Sequence, residues 1–314
     1  MYNYKAYLNL PKKLKNINPA LKKLGFSEKD KVVILHADDI GMCHASLRAY
    51  EELMDFALIS SAAIMTPCPW YPSTIALRSR YTDLDIGVHL TVNSEWDHYR
   101  WGPISTRHPS SGLMDDEGYL HRKREEVVQY AQLDAIRAEL DAQVKRAITD
   151  GFDVTHVDEH MGTIAHPRLL AIYAETALKY RVPPLILRHS EQEYRLMGFN
   201  AQEANKAYNV ISRLEEQAVP LLDHYYMLPL QDTDKDRVDM IKQFLGTMPP
   251  GLTHLAFHPA VDTPELRAMA DRDWQGRVAD YQAFTSEELR NWIKQSDLHV
   301  IGYRALRKLM RQAI

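Results

Sequence analysis

The stretch KVVILHADDIG, residues 31–41, decides how this chain is read. An apolar run, Val32 to Leu35, has the look of a buried strand. It breaks off at His36 and passes through Ala37 to two adjacent carboxylates, Asp38 and Asp39, with Gly41 close behind. Like charges that close repel, and burying either one without a partner is costly or shifts its pKa. Something has to compensate, and a bound cation is the first candidate.

Working outward, the same pattern of a short apolar run followed by a longer helical stretch repeats. The strand candidates after the first are LISSAAIM (58–65), DIGVHLTV (85–92), DVTHVDEH (153–160), PLILRH (184–189), HYYMLPL (224–230), LTHLAFHP (252–259) and LHVIGYR (298–304). Between them, HASLRAYEELMDF, HPRLLAIYAETALKYR, EEVVQYAQLDAIRAELDAQVKRAIT, RVDMIKQFLG and TSEELRNWIKQ carry apolar residues at three- and four-residue spacing. Thr285 stands three residues before Glu288, a capping-box pattern at the start of the last of these. Strands that alternate with helices predict a parallel sheet wrapped by helices. The strand count and chain length favour a (β/α) barrel, TIM-barrel-like or a distorted form of one, over an open doubly wound sheet. The glycine fingerprint of dinucleotide-binding folds is absent. The expected organisation is a single α/β domain over residues 31–314, preceded by a basic, mildly amphipathic helical extension over residues 1–30. One long irregular segment follows the third strand, residues 93–122, and loops of that length in compact domains are often functional.

The bulk composition narrows the function. Of 314 residues, 45% are hydrophobic, enough for a sizeable core. With 38 basic and 42 acidic side chains, the formal charge of -4 gives no overall pull toward nucleic acid or an anionic membrane. Cys43 and Cys68 form no metal-type pair and no disulfide framework, which fits a reducing compartment. The N-terminus lacks the apolar core of a signal peptide, and no apolar run approaches the roughly 20 residues that span a bilayer. A cytoplasmic location is expected, with no nucleic-acid or membrane partner.

The residues able to do chemistry gather at strand ends. Asp38 and Asp39 close the first, His89 lies near the end of the third, Asp158 and His160 end the fourth, Arg188 the fifth and His258 the seventh. In a (β/α) barrel these ends converge on one mouth. A carboxylate and two histidines meeting there can hold one divalent ion, Mg2+ or Zn2+, with open positions for water. Along an extended strand His156, Asp158 and His160 share a face, so Asp158 is placed to orient His160 or a neighbouring group. Arg188 follows four apolar residues and is read as pointing inward. Trp96, Tyr99 and Trp101, on the long loop, suit the faces of a sugar. The plainer readings stay open: ADDIG as a helix cap, His89 as a core histidine, FHPA as a turn, Arg188 as a surface ion pair, and the loop's rings as packing against the barrel or against a second copy in a homodimer.

The motifs HADDIG, GVHLTV, THVDEH and AFHPA, with LMDDEGYL (113–120) and the run containing Glu139 and Gln143, occur in an order and spacing that resembles the YdjC-like, or ChbG-type, carbohydrate deacetylases. The resemblance covers about residues 32 to 305. It implies a barrel-like deacetylase, distantly similar to polysaccharide deacetylases, that uses one divalent metal to remove an N-acetyl group from an amino sugar. It also implies metal ligands at Asp39, His89 and His160, a general base at Asp38 and a general acid at His258. In the deacetylation so implied, Arg188 would steady an oxyanion. The third motif continues as DEHMGTIAH, with Gly162 and Ile164 where many members carry further histidines. A different metal hydrolase on the same barrel, or a sugar-binding protein without turnover, would share much of this pattern.

Overall fold

Strand β1, Lys31–Ile40, is the axis of the structure, a computed structural model that describes residues 17–231 and 236–313. Around it lie β2 (Ser61–Ile64), β3 (Ile86–Leu90), β4 (Val157–Glu159), β5 (His224–Met227), β6 (Gly251–Phe257) and β7 (Leu298–Val300). Every pairing between them is parallel, in the order β4-β3-β2-β1-β6-β5, with β7 attached to β1 at Lys31–Val33. The sheet curls into a half-barrel surrounded by helices, so the expected barrel-like α/β domain is present in a distorted form.

The distortion has local causes. The fifth expected strand, PLILRH, survives only as two isolated bridges, Val157 to Pro184 and Leu187 to Leu222, which carry the curl from β4 toward β5. Pro183 and Pro184 supply no N–H to a ladder, which explains why no strand extends there. The last strand stops at Val300. Ile301 donates its N–H to Val33, and a helix begins at Tyr303. Because β6 pairs with β1 directly along Lys31–Ala37, β7 has no place between them.

Side chains alternate across β1. Val33, Leu35 and Ala37 join the large apolar cluster that the helices cover. Val32 and Ile34 join a smaller cluster with Ala20, Leu21, Leu222, Leu252, Tyr303 and Leu306, which fills the base of the concave side. The short helix Pro19–Lys23 supplies that floor, anchored where Asn18 donates to the Leu221 carbonyl and to Asp223. It belongs to the expected N-terminal extension, whose residues 1–16 lie outside the described residues.

The expected helix HASLRAYEELMDF forms over His44–Phe56. The long run 125–149 divides into Arg124–Tyr130 and Leu133–Thr149. Thr285 does not cap the helix Glu287–Gln295: its hydroxyl bonds the Tyr281 carbonyl of the preceding helix, and Ser286 takes the cap position. That preceding helix, Trp274–Phe284, buries Arg277 and Asp280 on its inner face. Polar residues in those positions conceal the apolar stripe by which such a helix is recognised in a sequence. Among the described residues no helix is long and apolar enough to cross a membrane.

Candidate metal and catalytic centre

In a regular strand Asp38 and Asp39 would face opposite sides of the sheet. Here the β1–β2 register shifts between Ala37 and Ile40, and Asp39 adopts a left-handed backbone with φ of 62°. This conformation is uncommon for a residue other than glycine, though aspartate is among those that tolerate it best. Its effect is to turn both carboxylates into the same mouth. Gly41 completes the turn at φ of 83°. A β-carbon there would lie 2.7 Å from the Thr74 methyl, so the position requires glycine on two grounds.

At the mouth Asp39 Oδ1 lies 3.4 Å from His89 Nε2 and 3.3 Å from His160 Nδ1. All three residues are buried, and Asp39 Oδ1 accepts no hydrogen bond among the described residues. For a tetrahedral ion with bonds of about 2.0–2.1 Å, neighbouring ligand atoms stand about 3.3 Å apart. The three atoms therefore fit a divalent ion, and the orphaned oxygen gives it a site. The far side of each ring is tied to a carboxylate: His89 Nδ1 is 2.9 Å from Asp158 Oδ1, and His160 Nε2 is 2.9 Å from Glu95 Oε2. Such ties fix the tautomer and leave the opposite nitrogen's lone pair for a metal. Asp39 Oδ2 accepts from Arg277 Nη1 at 2.7 Å.

The electrostatics follow from these contacts. Burial opposes ionisation of Asp39, but Arg277, His160 and His89 hold its carboxyl well below the usual range. Burial likewise opposes charging His160, yet Glu95 and Asp39 raise it to about 9. Burial opposes charging His89 too, yet Asp158 and Asp38 hold it well above the usual imidazole range.

Asp38 lies beside this group. Its Oδ2 is 3.7 Å from His258 Nε2 and its Oδ1 is 3.0 Å from His36 Nε2. His258 is held from behind, its backbone N–H donated to Asp280 Oδ2 at 3.0 Å. Burial lowers the pKa of His258, with Asp39 and Asp38 pulling weakly the other way.

Of the residues singled out in the sequence, Asp38, Asp39, His89, Asp158, His160, His258 and Trp96 lie in or against this centre. Asp158 reaches His89 rather than His160, because β4 ends at Glu159 and His160 starts a turn of its own. Trp96, half-buried, lies with its ring 5.4 Å from the Arg277 guanidinium. Trp101 is buried instead of facing the opening. Its indole donates to the Asn93 carbonyl, and its ring stands edge-on to His160. Arg188 is not brought to the centre: it pairs with Glu215 and Asp223 beside the floor helix. The guanidinium at the mouth is that of Arg277. Arg277 and Glu95 are not singled out by the sequence, and His36 is noted there only as the end of the apolar run. His36 stands inside the opening motif, two residues before Asp38 on the same strand face, and that spacing was available as a signal.

Residues 32–295 match a protein family described as YdjC-like protein. A carbohydrate deacetylase of Thermus thermophilus is 30% identical over 290 residues, covering 92% of this chain and 98% of that protein. A carbohydrate deacetylase of Thermoanaerobacter pseudethanolicus is 22% identical over 277 residues, covering 88% and 100%. A solved structure from Enterococcus faecalis, described as a candidate cellobiose-phosphate cleavage protein, superposes with a TM-score of 0.71 at 20% identity, covering 88% of this chain and 99% of that one. That last likeness concerns the fold.

Proposed function

The chain belongs to the YdjC-like family, and from that premise we propose that it is a carbohydrate deacetylase, hydrolysing the N-acetyl group of an amino sugar with the help of one divalent ion. The observation that carries the reading is the convergence of Asp39 Oδ1, His89 Nε2 and His160 Nδ1 around an oxygen with no other partner. Two imidazoles and one carboxylate accept either Zn2+ or Mg2+. Such an ion, when bound, polarises the acetamide carbonyl and acidifies water.

The chain's own residues supply the rest. Asp38 stands next to the ligand set as the general base and takes the proton of the attacking water. The C–N bond then breaks to give acetate and a free amine, and the amine needs a proton. Burial favours the neutral form of His258, which suits it to accept a proton before giving one. At 3.7 Å from Asp38 it is placed to receive the water's proton and hand it to the leaving nitrogen. Arg277 keeps Asp39 ionised, while Glu95 and Asp158 hold the two rings. Trp96 offers a partly open ring to the sugar.

The test is metal content, followed by acetate release from a panel of N-acetylated sugars. Asp38→Asn should retain metal and lose acetate release, whereas Asp39→Asn should lose metal. A chain that releases no acetate from any amino sugar, or that releases phosphate from a sugar phosphate instead, would overturn the reading.

A further inference from the structure

Beneath the mouth the barrel is filled with histidines that the proposed reaction does not use. His36, His156 and His254 are completely buried and lie around Tyr303. The His156 ring stacks on Tyr303 at 3.9 Å, and His254 Nδ1 is 2.8 Å from the Tyr303 hydroxyl. The centroid of His36 lies 4.9 Å from that of His156 and 4.5 Å from that of His254. Three imidazoles in an enclosed interior should have their polar atoms paired.

Several do not. Both nitrogens of His36, Nε2 of His156 and Oδ2 of Asp158 have no aligned hydrogen-bond partner. Yet His36 Nε2 approaches Asp158 Oδ2 to 2.8 Å, and His156 Nε2 approaches the same oxygen to 3.8 Å. The tautomer of His156 is set from outside. The Thr155 hydroxyl donates to Asp85 Oδ1 at 2.7 Å, so it can only accept from His156 Nδ1, 3.0 Å away. With its proton on Nδ1, His156 turns a bare lone pair toward the carboxylate of Asp158. Burial favours this neutral form of His156. Two acceptors facing each other in a dry interior need positive charge beside them, which a proton on His36 Nε2, 2.8 Å from the same oxygen, or a metal ion can supply.

The ring is also seated with care. A β-carbon on Gly87 of the neighbouring strand would fall 2.5 Å from the His156 ring, so that glycine is the space in which the imidazole sits. We propose that the barrel interior holds a second divalent-cation site of the zinc class, formed by His36, His156 and Asp158, one layer below Asp39, His89 and His160. The atoms that could bind lie within 4.8 Å of one another. The two measured separations, 2.8 and 3.8 Å, bracket the ligand spacing of about 3.3 Å expected of zinc. The donor set, two imidazoles and one carboxylate, is the same as at the mouth and accommodates zinc. Asp158 links the layers, giving Oδ1 to the back of His89 and Oδ2 to the inner ion.

The full chain, stripped with a chelator, reloaded with Zn2+ and desalted, should retain two zinc ions per chain by elemental mass spectrometry. His160→Gln should retain one, His156→Gln one, and the double variant none, with circular dichroism confirming that each is folded. Gly87→Ala removes no ligand but occupies the seat of the ring, and should likewise lose one ion. A native chain that retains a single ion, or two ions that persist in folded His156→Gln, would overturn the proposal. Its failure would leave the deacetylase reading standing, since that reading needs only the ion at the mouth.

Discussion

The two faces of β1 differ sharply in chemistry. The outward residues Val33, Leu35 and Ala37 are apolar from end to end and pack against helices. The inward residues Val32, Ile34, His36 and Asp38 pass from hydrocarbon at the base to imidazole and then carboxylate at the mouth. Both faces are buried, yet only the outer one is held by the hydrophobic effect throughout. The upper half of the inner face removes polar groups from water, and that costs free energy unless each finds a partner. Stability resides mainly on one side of a strand and chemistry on the other, one residue apart.

The comparison can be broken by substitution on each side. The largest effect is expected at Asp38→Asn, which should lower acetate release by about 10²–10⁴-fold while leaving the melting temperature nearly unchanged. A melting temperature that collapsed with activity would erase the distinction. Leu35→Ala, on the outer face, should cost about 2–5 kcal/mol in denaturant unfolding, with metal content per folded chain unaltered. Glu95→Gln should weaken metal binding about 10–100-fold in a competition titration, because His160 loses the carboxylate that fixes its tautomer.

Two aspartates sharpen the contrast through pH. Burial raises the pKa of Asp280 to about 7, against the pull of Arg237 and the His258 N–H. In the unfolded chain the group titrates at about 3.9. Between these values the folded protein binds more protons, so this group's contribution to stability should fall as pH rises from about 4 to 7. Asp280→Asn should flatten the melting temperature across that window. Asp153 behaves oppositely. Hydrogen bonds from Arg307, opposed by partial burial and aided by Arg304, lower its pKa to about 2. Its stabilisation is present above about pH 4 and is lost as pH falls through about 2. The side chain is 60% exposed, so Asp153→Asn at neutral pH should cost less than about 1 kcal/mol.

Much of this was legible in the amino-acid sequence, for reasons tied to particular residues. The outer face of β1 and the helix His44–Phe56 follow simple periodicities, and short motifs marked Asp38, Asp39, His89, His160 and His258. What could not be read was set by irregular backbone or by partners distant in the chain. A bulge and a left-handed aspartate bring Asp38 and Asp39 to one mouth, where alternation would have parted them. Arg277 reaches Asp39 from 238 positions away, on a helix whose buried face is polar. Arg188 follows four apolar residues just as an inward residue would, yet the strand expected there is reduced to bridges, and its side chain turns to Glu215 and Asp223.

The apolar floor has a kinetic consequence. Leu21, Val32, Ile34, Leu252 and Tyr303 close the concave side from below. His36, His156 and His254 are fully buried above this floor, and His36 lies 3.0 Å from Asp38 at the mouth. A ligand that covers Asp38 and His258 should therefore slow the exchange of the buried rings' protons.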